Sequence, residues 1–267
     1  PKATKDLTHT FTYNNIESLH ELFRKFPGQI AVVIMEAMSG THPAAGFLES
    51  VKELAHKNGA LLVFDETVTG FRHANGGCQE LFGVTADLST FGKGMANGYP
   101  IAAITGRADV MRLMEDIFFS FTFGGEALSL AASLATMNKL QREPVIESLR
   151  SNGSSILAGV QALIAKHDIG DFLSIVGNPV QTFLVFKDTP NYTQWYIKTL
   201  FMQEVLRRGI LTLGAHTINY SHRAPEVSRL MEVYDEVYGI LSDAVRNNKI
   251  ESLLECKPIV PLFKLRQ

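Results

Sequence analysis

Residues 60–100 constrain the fold of this chain more than any other stretch, because they place an acidic pair after a short apolar run and a lysine in a glycine-rich loop. The run 61–64, Leu-Leu-Val-Phe, stops at Asp65 and Glu66. Lys93 stands between two glycines, 93 − 65 = 28 residues beyond Asp65. The carboxyl ends of parallel strands open onto a shared ligand crevice. We therefore expect Asp65 and Lys93 to face one small ligand.

The two side chains suit the chemistry of pyridoxal 5'-phosphate (PLP). Its pyridinium ring withdraws electrons only while the ring nitrogen is protonated, and a neighbouring carboxylate such as Asp65 keeps that proton in place. The amine of Lys93 can form a Schiff base with the cofactor aldehyde and move a proton at the substrate carbon. Glycines beside the lysine let the backbone approach the ring closely. The pattern therefore predicts a PLP site with Asp65 and Lys93 as catalytic residues.

Each half of the pattern also has another interpretation. A short apolar strand ending in Asp-Glu is typical of the magnesium-binding strand of P-loop ATPases. That class needs a G-x-x-x-x-G-K-[ST] loop, which is absent here, and Lys93 is followed by Gly94. A lysine among glycines is also common in exposed loops. The two features in this order, each after a strand, favour the cofactor site.

Three segments carry a resemblance to a known family: DETVTGFR at 65–72, ADLSTFGKGMANGYPIAAITG at 86–106 and FTFGGEALSLAA at 121–132. Together they resemble class III (subgroup II) PLP-dependent aminotransferases, and within that class the glutamate-1-semialdehyde aminomutases and their aminotransferase relatives. The resemblance runs along nearly the whole chain. It implies an α/β fold of fold type I, comprising part of a large parallel-sheet domain and a smaller C-terminal α/β lobe.

The resemblance also assigns roles to individual residues. It implies that Asp65 pairs with the ring nitrogen, that Lys93 carries the Schiff base, and that Thr122 binds the phosphate of the partner subunit's cofactor in a homodimer. Thr67 stands where the family usually has a valine on the ring face, and it keeps a methyl group there. Glu66, also counted among the cofactor-site residues, is expected to brace the Asp65 loop by hydrogen bonds. No metal-binding residue is assigned.

The residue types around Thr122 also predict a phosphate site without reference to the family. A hydroxyl and backbone N–H groups just before a helix N-terminus suit a phosphate dianion, because that end of the helix carries partial positive charge. The alternative is that Thr122 is an ordinary threonine ahead of a helix start.

Composition excludes several other classes of protein. The formal net charge is −2, so no strong field favours nucleic acid or an anionic membrane. Cys78 and Cys256 are too few for a disulfide framework and fit a reducing cytosol. No apolar run approaches the ~20 residues of a transmembrane helix. These features predict a soluble, cytoplasmic protein, and the family resemblance implies that it acts on a small-molecule amine or amino acid.

The order of the patterns predicts two domains. Apolar runs at 30–35 and 61–64 enclose a helical pattern at 47–58, which is a βαβ unit and predicts a parallel sheet. Residues 1–150 are assigned to the cofactor-binding large domain and 151–267 to the small domain.

Several local expectations accompany this division. Residues 1–15 are predicted to be extended, and residues 70–83 to form a loop. A long helical pattern at 144–167 contains a Ser-Asn-Gly-Ser break at 151–154. Among the strands of the small domain, one is expected at 210–213.

The chain departs from the family pattern in two ways. The resemblance implies about as much chain again before Pro1, including further phosphate donors, so residues 1–267 alone are expected to bind the cofactor weakly or not at all. Glu126 and Ala127 replace the family's usual Asn-Pro, which bears on the identity of the substrate.

The sequence therefore predicts PLP-dependent transfer of an amino group on an amino acid, amino-aldehyde or amine. The alternatives are a catalytically silent, dimerising remnant of the same fold and, less favoured, a P-loop-like ATPase.

Overall fold

The computed structural model describes residues 1–38 and 40–260. The chain divides into two compact units, Pro1–Ile146 and the part that begins at Glu147. Ser39 and residues 261–267, which end the predicted small domain, lie outside the described residues.

The first unit contains a four-stranded sheet in the order β1-β2-β3-β4. Its strands are β1 (Val32–Met35), β2 (Leu61–Asp65), β3 (Leu88–Phe91) and β4 (Ala103–Gly106). Strands β1, β2 and β3 are parallel, whereas β4 runs antiparallel to β3. The expectation of a wholly parallel sheet is therefore corrected to a mixed one. The short connection from β3 to β4 holds no crossover helix, which a parallel partner would require.

Helices of the first unit accompany this sheet, and some of them contact its strands. They are α1 (Lys2–Asp6), α2 (Ile16–Lys25), α3 (Phe47–Lys57), α4 (Gly77–Phe82), α5 (Ala108–Met111) and α6 (Ala127–Arg142), with 3-10 turns at Lys93–Met95 and Arg112–Asp116. Helix α3 contacts β2, and the fully buried Val51, Leu62 and Phe64 belong to one core. Two expectations were wrong here: residues 1–15 include a short helix, and the loop expected at 70–83 contains α4.

The second unit contains a three-stranded antiparallel sheet in the order β5-β6-β7. Its elements are α7 (Val145–Lys166, which begins two residues before the unit), β5 (Leu173–Asn178), β6 (Gln181–Phe186), α8 (Gln194–Arg207), β7 (Ala215–Thr217), α9 (Ala224–Arg246) and α10 (Ile250–Leu253). The fully buried Phe201, Tyr234 and Tyr238 pack ring against ring in its core. The strand expected at 210–213 falls at Ala215–Thr217 instead.

The predicted break at 151–154 is not present, because α7 continues through it. Gly153 has a packing role there: an added Cβ would lie 1.5 Å from the carbonyl oxygen of Pro179. The glycine lets the helix backbone approach the β5–β6 connection closely. A glycine inside a helical pattern therefore marks a contact here rather than a helix end.

Helices within the described residues are all too short or too polar to cross a lipid bilayer.

Candidate active site

Asp65 is the last residue of β2 and lies at the carboxyl edge of the first sheet. Its Oδ1 accepts hydrogen bonds from the Thr67 backbone N–H and the Thr90 hydroxyl, each at 2.9 Å. The Thr67 side chain, followed by these bonds and the charge of Lys93, holds the pKa of Asp65 below its ordinary value, although partial burial opposes the shift. Asp65 therefore remains ionised at neutral pH.

Lys93 follows β3 and opens the Lys93 turn, the 3-10 turn Lys93–Met95. Strands β2 and β3 are parallel neighbours with Asp65 opposite Thr90, so Asp65 and Lys93 both lie at the carboxyl edge of these strands. The side chain of Lys93 is exposed and its backbone has φ +40°, in the left-handed region. A lysine is seldom held in that conformation unless its surroundings enforce it. The structure thus brings the two predicted residues into electrostatic range.

Glu36 is a third ionisable residue at this edge, and sequence reasoning did not select it. It follows β1, whose last residue Met35 pairs with Phe64, so Glu36 stands beside Asp65. Desolvation, and then the charge of Asp65, raises the pKa of Glu36, while the charge of Lys93 lowers it. The signal was available, because Glu36 ends an apolar run just as Asp65 does.

Glu66 points away from this edge into the protein and is completely buried. Its carboxylate accepts hydrogen bonds from the N–H groups of Cys78 and Gln79, both at 2.9 Å, and from the Thr69 hydroxyl. These bonds tie the N-terminus of α4 to the segment after β2. Gly77 must be a glycine here, since it has φ +79° and an added Cβ would lie 2.6 Å from Glu66 Oε2. The geometry favours the bracing role of Glu66 over direct contact with a cofactor.

The turn at 67–72 packs directly on the segment that carries Lys93. Gly70 allows this, because an added Cβ would lie 2.6 Å from Phe91 Cδ1 and 2.8 Å from the Glu66 carbonyl oxygen. Phe71, at φ +63°, places its ring 5.7 Å from that of Phe91. The acid and the lysine are therefore supported by loops that contact each other.

Thr122 is exposed and begins the 122–125 turn, just before α6. Glu126 caps that helix: its carboxylate accepts hydrogen bonds from the N–H groups of Leu128 at 2.8 Å and Ser129 at 2.7 Å. These bonds, with the Ser129 hydroxyl contributing most, lower the pKa of Glu126. Among the described residues, Thr122 makes no hydrogen bond to Asp65 or Lys93. The structure therefore places the phosphate candidate on a separate turn.

The residues at this edge fit the ring and aldehyde of PLP better than its phosphate. An ionised Asp65 can accept a hydrogen bond from a pyridinium N–H, and Lys93 supplies an exposed primary amine. The 122–125 turn offers a hydroxyl, but two N–H groups of the adjacent helix start are already bonded to Glu126. Within the described chain, the donors for a phosphate dianion are thus only partly present.

The comparisons with known proteins agree with the family resemblance stated from the sequence. The aminotransferase class-III family model matches residues 2–245. The chain is 31% identical over 245 residues to the 3-aminobutyryl-CoA aminotransferase of Cloacimonas acidaminovorans, which covers 88% of this chain and 58% of that enzyme. It is 36% identical over 197 residues to glutamate-1-semialdehyde 2,1-aminomutase 2 of Brevibacillus brevis, covering 71% of this chain and 46% of that enzyme.

Among solved structures, the FumI protein of Sphingopyxis sp. MTA144 in its PLP internal aldimine form matches with a TM-score of 0.82 at 27% identity. The match covers 92% of this chain and 59% of FumI. The chain thus spans about half the length of the relatives that it matches.

These matches confirm the predicted fold class, fold-type I α/β, and the resemblance stated from sequence. They leave the P-loop ATPase alternative without support. The chain belongs to the class-III aminotransferases, a family of PLP-dependent enzymes.

Proposed function

We propose that this chain forms the lysine-bearing part of an enzyme that transfers an amino group on an amino acid, amino-aldehyde or amine. The observation that supports this most directly is the meeting of an ionised Asp65 and an exposed Lys93 at one sheet edge. When bound, PLP supplies an aldehyde and an electron-withdrawing ring. The substrate is proposed to be a small-molecule amine or amino acid, and the protein to be cytoplasmic, as its two thiols suggest.

Each residue has a role that follows from its position. Lys93 would hold the cofactor as a Schiff base and then carry a proton to and from the substrate carbon. Asp65, kept ionised by Thr67 and Thr90, would keep the ring nitrogen protonated. The Thr67 methyl group lies beside Gly92, where an added Cβ would be 3.4 Å from it, and would border the ring face.

Thr122 is proposed to bind the phosphate of the partner subunit's cofactor, which makes the active assembly a homodimer. Its exposure, and the exposed aromatic residues before and after it, support this assignment. Phe118 and Phe123 expose 96% and 59% of their surfaces, which is unusual for aromatic side chains unless another surface covers them.

The proposal is tested by mixing the protein with PLP and reducing the mixture with borohydride. Reduction traps even a weakly populated imine, so peptide mass spectrometry should find the pyridoxyl group on Lys93. The near-visible imine absorbance of the wild type should be lost in Lys93→Ala. Lys57→Ala removes another exposed lysine, at the end of α3, and should keep both signals. Equal labelling of wild type and Lys93→Ala would refute the assignment.

A second candidate is a silent module that associates through the same exposed aromatic surface. The incomplete set of phosphate donors favours it. If the wild-type protein self-associates in sedimentation velocity and takes up no pyridoxyl label, this candidate replaces the first.

A further inference from the structure

Asp87 stands immediately before β3 and is hydrogen-bonded to the chain segments on both sides of it. On the β2 side, its backbone N–H donates to the Leu62 carbonyl oxygen at 2.9 Å, and its Oδ2 accepts the Leu62 N–H at 2.8 Å. On the other side, its carbonyl oxygen accepts the backbone N–H of Arg107, and its Oδ1 accepts a guanidinium N–H of the same residue, both at 2.9 Å. Arg107 directly follows β4, so Asp87 is fixed by two bonds on each side.

The carboxylate of Asp87 is buried, and both of its oxygens have partners. The side chain is 3% exposed, and His56 of α3 adds a third partner, with its Nε2 2.8 Å from Asp87 Oδ2. Desolvation raises the pKa of Asp87, but the hydrogen bonds from the three partners together lower it, so the carboxylate remains ionised. A buried charge is costly unless such bonds satisfy it, which restricts how far the partners can move.

The end of β4 lies very close to Asp87. Gly106 allows this, because an added Cβ would lie 2.3 Å from the Asp87 carbonyl oxygen and 2.9 Å from Leu88 Cα. Asp109 orients the Arg107 guanidinium as well, since it accepts hydrogen bonds from Nη2 at 2.7 Å and from Nε at 3.1 Å. Strand β3 therefore has little room to slide along β4 without breaking these bonds or overlapping backbone atoms.

The other end of β3 carries groups that lie beside Asp65. Thr90 pairs with Asp65 across the two strands, and its hydroxyl donates to Asp65 Oδ1 at 2.9 Å. Lys93 follows the strand, which ends at Phe91. A slip of β3 by one residue would move the chain by about 3.3 Å and turn every side chain to the opposite face. Thr90 would then lose its bond to Asp65, and Lys93 would be displaced by a similar distance.

We propose that Asp87 is a positioning residue of the amino-transfer site. It fixes the register of β3 at the amino end of the strand and thereby holds Thr90 and Lys93 beside Asp65 at the carboxyl end. The inference rests on the proposed function of Asp65 and Lys93, and it adds a residue that acts through β3 rather than on the ligand. A carboxylate that only stabilised the fold would not affect how Asp65 titrates in the folded protein.

The test uses the protein without cofactor and follows the Asp65 carboxyl carbon by ¹³C NMR as the pH is varied. Asp87→Asn keeps the shape of the side chain, but its amide nitrogen cannot accept a hydrogen bond. Like Thr67, which has the largest influence, the Thr90 hydroxyl lowers the pKa of Asp65. Displacement of Thr90 should therefore raise the pKa of Asp65, whereas removal of the Asp87 charge alone would lower it. A rise thus reports a change of position and not the missing charge.

Two arginines of the first unit provide a matched pair of variants. Arg107→Ala removes the bond to Asp87 Oδ1, and Arg24→Ala removes an arginine of α2 that pairs with Glu17. Both arginine side chains are exposed, so both variants should fold. The pKa of Asp65 should rise in Arg107→Ala, by less than in Asp87→Asn, and should stay as in wild type in Arg24→Ala. At about 0.15 M salt the Debye length of about 8 Å is shorter than the roughly 10 Å of β3 from Asp87 to Thr90, so the direct effect of the Arg107 charge is small.

Borohydride labelling of Lys93 at low PLP concentration gives a second measurement. A displacement of about 1 Å can slow a reaction by up to about a hundredfold, so labelling should fall at least about tenfold in Asp87→Asn.

Two results would overturn the inference. One is an Asp65 titration in Asp87→Asn and Arg107→Ala that matches Arg24→Ala, even where urea unfolding shows a loss of stability. The other is undiminished labelling of Lys93 in Asp87→Asn. If Asp87→Asn does not fold, the titration of Arg107→Ala decides alone.

The titration needs no cofactor, so this inference and the proposed function can fail separately. A wild type that takes up no pyridoxyl label refutes the proposed function, and the titration then decides the role of Asp87 in placing β3. A labelled wild type with an unchanged Asp65 titration in the variants refutes the inference alone.

Discussion

Gly70→Ala tests whether the contact between two loops holds the proposed active site together. Gly70 has an ordinary backbone conformation, so the effect of a methyl group there comes from space alone. The new Cβ would lie 2.6 Å from Phe91 Cδ1 and 2.8 Å from the Glu66 carbonyl oxygen. Ordinary contacts begin at 3.4 Å, so these gaps fall short by 0.8 Å and 0.6 Å.

The two neighbours can yield to different extents. The Phe91 ring can turn aside, but it lies two residues before Lys93 and would move that segment with it. The Glu66 oxygen accepts the Gly70 N–H at 2.8 Å and cannot retreat without stretching that bond. Overpacking of this kind destabilises the folded state by about 2 kcal/mol. Alanine also reduces the conformational entropy of the unfolded chain relative to glycine, which offsets about 0.5 kcal/mol of that loss. We expect the free energy of unfolding of the first unit to fall by about 1.5 kcal/mol.

Amide hydrogen exchange by mass spectrometry measures this loss where it occurs. A change of about 1.4 kcal/mol is a factor of ten, so peptides covering β3 should exchange about tenfold faster in Gly70→Ala. Borohydride labelling of Lys93 should fall in parallel. The only tryptophan, Trp195, lies in the second unit, and its fluorescence should not change.

Gly40→Ala is the matched control, because an added Cβ at Gly40 meets nothing within 4 Å and its backbone needs no glycine. It should leave exchange and labelling as in wild type. If Gly70→Ala behaves like Gly40→Ala, the two loops do not support each other as we infer.

Three further predictions concern buried or close-packed groups. Glu66→Ala leaves the N–H groups of Cys78 and Gln79 without acceptors. The free energy of unfolding of the first unit should fall by about 2–3 kcal/mol, as measured by urea unfolding followed by circular dichroism. Gly153→Ala should lower the free energy of unfolding of the second unit by about 3 kcal/mol or more, because the new Cβ would lie 1.5 Å from the Pro179 carbonyl oxygen. An unchanged midpoint of urea unfolding, followed by Trp195 fluorescence, would contradict this. The depressed pKa of Asp65 contributes stability above about pH 4 that is lost as pH falls through its folded pKa, so Asp65→Asn should flatten the acid limb of stability against pH.

The sequence allowed good prediction where local pattern and tertiary packing agree. The strand expected before Lys93 is β3, Leu88–Phe91. The acid-and-lysine pattern led to the sheet edge where both side chains lie, since parallel strands end together. The family resemblance was confirmed by the class-III aminotransferase model, which matches residues 2–245.

Prediction failed where the role of a residue depends on a contact with a residue that is distant in the sequence. Gly153 resembles a helix break until the carbonyl oxygen of Pro179 is placed beside it. The direction of β4 depends on the absence of a crossover helix, which periodicity in a short stretch does not reveal. Glu36 ends an apolar run just as Asp65 does, but only the register of β1 on β2 shows that the two residues stand side by side.

The capping carboxylate of Glu126 changes how salt should affect this protein. Helix starts normally attract anions, and added salt weakens that attraction by screening it. At α6 an approaching dianion also meets a fixed negative charge, so screening removes repulsion as well as attraction. Phosphate-bearing molecules at the 122–125 turn should therefore show a flat or inverted dependence on ionic strength, unlike most phosphate sites.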